Sequence, residues 1–161
     1  MRIAVAFDHR GVKLRDRILE TVAALGHELV DLGTDAAEPR IDYPDKARQI
    51  GEAILAGEAE RGVLVCGTGI GMAITANKVD GVRAALCSDL YTARASREHN
   101  DANVLALGGR LMGPEMALDI LRMWLATDFA GGRHRRRVDK IADLERRHAA
   151  RRQGKESHGQ A

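Results

Sequence analysis

Short, continuous apolar runs alternate along this chain with longer stretches whose apolar positions recur every three or four residues. The runs Arg2–Phe7, His27–Leu32, Val63–Cys66, Arg83–Cys87 and Val104–Leu107 are strand-length. Continuous rather than alternating apolar character is what a strand covered on both faces requires. Between them the helical period predicts helices over Val12–Leu25, Asp45–Ala56 (after the break at Asp42-Tyr43-Pro44), Ile70–Lys78, Leu90–Glu98 and Pro114–Ala126. The last of these has proline in its first turn, where the missing N–H is harmless. A final helix over Arg136–Arg147 carries Val138, Ile141 and Leu144 on one side. Five strands alternating with helices predict an α/β protein: a single-domain three-layer αβα unit with a five-stranded parallel Rossmann-like sheet and an extra C-terminal helix. There is no internal repeat. The domain is expected to span residues 1–150, and the polar, basic stretch 151–161 to be disordered.

A length of 161 residues suits one domain with a real core, and with only 3% aromatic residues that core must be aliphatic. No run of ~18 apolar residues exists to span a membrane, and the chain enters a strand at once, without the pattern of a signal peptide. Two cysteines, Cys66 and Cys87, read as reduced thiols, which points to the cytoplasm. Without a histidine cluster beside them they make no zinc site, so neither a metal nor a cofactor is expected. Charge changes the picture only at the end of the chain. Residues 1–132 carry 15 Lys/Arg against 19 Asp/Glu, and residues 133–161 carry 10 against 4. A basic tail of this kind can bind nucleic acid. This one lacks the interleaved aromatics that stack on bases, so no nucleic-acid partner is expected.

In open parallel sheets, ligands bind beyond the carboxyl ends of the strands. Asp8-His9, Cys66 and Ser88-Asp89 all fall there. The densest chemistry lies in Val65-Cys66-Gly67-Thr68-Gly69-Ile70-Gly71-Met72, where a cysteine ends an apolar strand and opens a glycine-rich loop into a helix. Bare amides at such a turn meet negative charge and favour a thiolate beside them. A dinucleotide fingerprint is not met: its third glycine is missing and the loop follows the third strand, not the first. A P-loop lysine is absent as well. His99, within Glu98-His99-Asn100-Asp101, is suited to proton transfer by its near-neutral pKa, or alternatively to capping a helix end. Arg133 and Arg137, four apart in Gly131-Gly132-Arg133-His134-Arg135-Arg136-Arg137, would share a helical face. Cations crowded at a helix start fit a bound phosphate, and equally a solvated basic stretch.

DHRG at 8–11, DYP at 42–44, CGTGIGMAITANK at 66–78, REHNDANVLALGGR at 97–110 and GGRHRRRV at 131–138 occur in order and at spacings that resemble the type B ribose-5-phosphate isomerase family, which includes galactose-6-phosphate isomerase subunits. The resemblance runs from Met1 to about residue 150. It implies an aldose–ketose isomerase acting on D-ribose 5-phosphate and D-ribulose 5-phosphate, with Cys66 as the base between C1 and C2 and His99 as the acid/base that opens the ring. Gly67, Thr68, Gly69, Ile70 and Gly71 match the loop that holds the enediolate oxygens. Asp8, His9, Tyr43, Asn100, Arg110, Arg133 and Arg137 match substrate and phosphate contacts. The separate roles of Asp8 and His9 stay open. Another branch of the family uses a glutamate as base; here the aligned residue is Met72, which leaves the cysteine. Dimers or tetramers with sites at the subunit interface are implied too. Another sugar phosphate (a hexose 6-phosphate or a tetrose 4-phosphate) is the alternative substrate. A non-catalytic sugar-phosphate or nucleic-acid binding module is the alternative of another class.

Overall fold

The computed structural model describes residues 1–34, 36–37 and 39–158, the last seven of these only in their helical backbone. Five parallel strands form one sheet: β1 (Arg2–Phe7), β2 (Glu28–Asp31), β3 (Arg61–Cys66), β4 (Ala84–Leu86) and β5 (Val104–Gly108), in the order β2-β1-β3-β5-β4. The helices are α1 (Arg15–Ala24), α2 (Tyr43–Leu55), α3 (Ile70–Ala76), α4 (Leu90–Asn100), α5 (Pro114–Ala126) and α6 (Arg135–His158). This is the predicted αβα architecture.

Alternation along the strands sorts the core into two layers. Ile3, Val5 and Phe7 of β1, with Val63, Val65, Leu105 and Leu107, face α1, α4 and α5. Ala4, Ala6, Leu64, Cys66, Val104 and Ala106 face α2 and α3. Each strand is thus buried on both sides, which is why its sequence reads as a continuous apolar run. Burial of one such Leu or Ile side chain contributes about 1.5–3 kcal/mol.

Three boundaries differ from the expected ones, each for a local reason. The stretch Val12–Leu25 divides into a 3-10 turn (Val12–Leu14) and α1. Tyr43 and Pro44 do not interrupt the chain; they form the first turn of α2, where proline needs no acceptor. The last helix runs past Arg147 and through residues 151–158, where disorder is expected from composition. Ala149, Ala150 and Arg151 are strong helix formers and continue it. Residues 159–161 of the expected tail lie outside the described residues.

The topology sets two working edges. The sheet is built outward from β1 to β2 on one side and from β3 on the other, so the carboxyl ends of β1 and β3 flank the crevice of a topological switch point. Each helix that follows a strand runs back to the amino edge before the next strand begins. The C-terminal end of α4 therefore lies beside the start of β5, where Val104 pairs with Gly62, while Cys66 pairs with Gly108 at the other end.

Candidate active site

At the carboxyl edge, Cys66 ends β3 with only 4% of its surface exposed. The chain then turns through Gly69, whose φ of 77° places it in the left-handed region that glycine tolerates. That turn points the Gly69 amide at the Cys66 sulfur, 3.1 Å away. A donor at this distance meets negative charge as it forms on the sulfur. The Thr68 hydroxyl accepts from the Ile70 amide at 3.3 Å. Two of the amides expected to be bare are thus engaged, and among the described residues the Gly67 and Thr68 amides are left without an acceptor. With α3 only seven residues long, the loop acts through these individual N–H groups and not through a long helix dipole.

The neighbouring strand end supplies Asp8, 4% exposed. Its Oδ1 accepts from the amides of Arg10 (2.8 Å) and Gly11 (2.9 Å). One carboxylate oxygen therefore fixes the turn after β1. From the start of α2 the Tyr43 ring lies so close to Gly71 that a Cβ on Gly71 would fall 2.5 Å from it. Asp8, Tyr43, Cys66, Thr68 and Gly71 together line a cleft of ≈ 360 Å³. A second cavity of ≈ 490 Å³ is lined by His9, Arg10, Lys13, Arg40 and Arg110. Arg10 lines both. The Arg110 amide donates to the Gly67 carbonyl at 3.0 Å, tying the loop after β5 to the loop after β3. His9 Nδ1 is buried and has no partner within the described chain.

His99, Asn100, Arg133 and Arg137 are elsewhere. His99 and Asn100 end α4 at the amino edge. Arg133 lies in a 3-10 turn (Gly132–His134) that runs directly into α6, and Arg137 lies in the first turn of α6. The segment that carries them is tied down beside α4. Buried Arg97 donates to the Thr127 carbonyl (3.2 Å) and the Ala102 carbonyl (2.5 Å), and the Ala130 amide donates to the Glu98 carbonyl (3.0 Å). Arg61, at the start of β3, donates to the Leu125 carbonyl at 3.1 Å. Both guanidinium groups lie over the buried Trp124 ring, at 5.5 and 5.6 Å. As a result the His134 ring stacks on His99, with centroids 4.3 Å apart and planes 9° from parallel. Burial of the His134 ring, then the nearby His99, Arg133 and Arg137, holds its pKa below the ordinary histidine value, with Glu98 opposing.

The fold therefore gathers the predicted residues into two groups, not one. A five-residue strand spans roughly 15 Å. An acid that opens a ring must stand within hydrogen-bond reach of the same sugar that the base deprotonates. Within one chain, Cys66 and His99 do not meet that condition. Two contributors were quoted in the motifs but given no role: Arg10 of DHRG and His134 of GGRHRRRV. Cys87 sits apart, 1% exposed, its thiol pushed up by burial.

A doubly wound sheet with a thiol, a free-amide loop and a basic cavity at its switch point is chemically suited to holding a small anionic molecule and moving a proton. Residues 3–141 match the ribose/galactose isomerase family, and the chain belongs to it. It is 45% identical to ribose-5-phosphate isomerase B of Escherichia coli, over 91% of this chain and 97% of that one. It is 41% identical to a D-erythrulose-4-phosphate isomerase of Pectobacterium atrosepticum, over 90% of this chain and 95% of the relative. Among solved structures, ribose-5-phosphate isomerase B of Clostridium thermocellum superposes with a TM-score of 0.89 at 48% identity, covering 92% of this chain and 99% of that one. Among the described residues no helix is long and apolar enough to cross a membrane.

Proposed function

We propose that this chain interconverts D-ribose 5-phosphate and D-ribulose 5-phosphate, as a homodimer or a tetramer of such dimers, in which the carboxyl edge of one protomer faces the amino edge of its partner. The observation that carries this reading is that the expected site residues fall into two groups at opposite edges of the sheet, with complementary chemistry. The first has the thiol, the free loop amides and a basic cavity. The second has an imidazole, an amide side chain and two guanidinium groups. A second copy is also the natural cover for Ile70, Ile74, Leu86, Leu90, Tyr91 and Leu111, all at least 40% exposed around the carboxyl edge. The family resemblance and the relatives' names support the substrate. The two free thiols fit a reducing cytoplasm.

In this scheme His99 moves a proton as the furanose opens. Cys66 as thiolate takes the C2 proton of the open aldose and returns it to C1. Negative charge that develops on O1 and O2 meets the Gly67 and Thr68 amides and the Thr68 hydroxyl; one such donor is worth ~3 kcal/mol of barrier. His9, Arg110 and the arginines 133 and 137 hold the phosphate, with Asp8, Tyr43 and Asn100 on the sugar. Binding the unreactive phosphate serves to orient the reacting carbons. The scheme draws on thiol, imidazole, hydroxyl, amide and guanidinium groups alone.

Mixing two inactive variants tests it. Cys66→Ala and His99→Asn chains, unfolded and refolded together in equal amounts, should recover about a quarter of wild-type turnover, because half the dimers are mixed and each holds one intact site. A mixture as inactive as its parts would return both residues to one chain. A tetrose 4-phosphate is the second reading, favoured by the likeness to the Pectobacterium relative. Relative kcat/KM on pentose, hexose and tetrose phosphates separates the substrates.

A further inference from the structure

We propose that His134 is a positioning residue for His99, holding the ring that opens the sugar in its working plane. This rests on the reading of His99 as the ring-opening group. The two rings come from different elements, α4 and the 3-10 turn before α6, yet lie 4.3 Å apart and within 9° of parallel. Such a stack between loosely connected segments would scatter unless the backbone fixed it. Here it is fixed twice, at the residues next to His99: Arg97 holds the Thr127 carbonyl and the Glu98 carbonyl takes the Ala130 amide.

The chemistry of the pair follows from its neighbours. Arg133 Nε donates to His134 Nε2 at 3.4 Å, so Nε2 serves as acceptor and the ring proton sits on Nδ1. That assignment makes His134 the neutral member of the stack, in keeping with a ring that is 8% exposed among Arg133 and Arg137. A neutral aromatic face lies against His99 when His99 takes up a proton, and a cation over such a face is favoured. The buried Nδ1 has no acceptor in the described chain, so hydrogen bonding alone does not account for the ring's position. Because Arg133 is both the donor to His134 and a proposed phosphate contact, a seated phosphate steadies the turn that carries the stack.

The test separates ring opening from proton transfer. D-ribulose 5-phosphate carries its phosphate on O5 and cannot close a furanose ring. Incorporation of solvent deuterium at its C1 therefore reads the Cys66 step without ring opening. His134→Ala should slow conversion of ribose 5-phosphate by about 10–100-fold in kcat, up to the scale of a misplaced catalytic group, with KM and the deuterium incorporation close to wild type. His134→Phe, which keeps a flat ring in the stack, should restore most of the loss. Equal losses in conversion and incorporation, no loss at all, or a loss that phenylalanine does not relieve would each overturn the proposal. The control is His99→Asn: if it leaves ribose conversion intact, the reading of His99 fails independently of its neighbour.

Discussion

In the proposed mechanism the carboxyl and amino edges of this sheet carry different halves of one chemical problem. At the carboxyl edge, β1 and β3 end side by side and present a nearly buried thiol whose sulfur already takes an amide hydrogen bond. At the amino edge, α4 and the segment after α5 bring together two imidazoles and a run of arginines. Proton abstraction needs a dry, preorganised place for charge to form. Phosphate capture needs exposed, mobile cations that a ligand can reach. A single small domain separates these demands by a strand's length, and in the proposed dimer a second copy would bring them together again.

The largest effect belongs to the thiol. Cys66→Ala should lower kcat by about 10³-fold or more, the upper range for a lost general base. Stability should change little by comparison. The lost packing and the freed Gly69 amide together cost about 2 kcal/mol, a drop of a few degrees in Tm. Thermal melts alongside turnover check both. If the variant kept near-normal turnover, the carboxyl edge would lose its claim to the proton-transfer step.

Much of this arrangement was readable in the chain, but not the separation of the two edges. Continuous apolar runs such as Val63–Cys66 named the strands because both faces of each are covered. The extent of α6 was missed because polarity at 151–158 says nothing about helix propensity. Each candidate residue could be picked out by type and motif. Their grouping depended on helix direction: α4 returns to the amino edge, carrying His99 away from Cys66. The engaged amides of Gly69 and Ile70 depend on the rotation of one sulfur and one hydroxyl, which no spacing rule encodes. The His99–His134 stack depends on where Arg97, a buried cation on the same helix as His99, catches the Thr127 carbonyl of the following segment.

A smaller effect should come from the cations. Arg137→Ala should raise KM for ribose 5-phosphate by about 10–100-fold, the loss of one charge-assisted contact, and leave kcat within about threefold. Steady-state kinetics at fixed ionic strength measures the split. An unchanged KM would take Arg137 out of the phosphate site and weaken the picture of the amino edge as the capturing half. A fall in kcat with KM unchanged would move it to the reacting end.

The smallest effect is acid sensitivity confined to the amino edge. His134 has its pKa held down in the folded chain, first by burial and then by His99, Arg133 and Arg137, while Glu98 pulls the other way. A base with a lower folded than unfolded pKa binds its proton more readily when the chain unfolds. Its contribution to stability is therefore complete above about pH 6.5 and is lost as pH falls below that value toward the depressed folded pKa. His27, also depressed mainly by burial, adds to the same trend, so one pH series cannot isolate either group. The comparison is between wild type and His134→Phe, each unfolded by urea at about pH 7.5 and about pH 5.5. Wild type should lose more of its midpoint than the phenylalanine variant. Amide exchange corrected for its intrinsic pH dependence should rise over 127–135 before it rises over 66–70. Equal losses in both proteins would mean that the acid response of the fold does not run through this stack, and that the two edges differ in chemistry but not in their tolerance of protons.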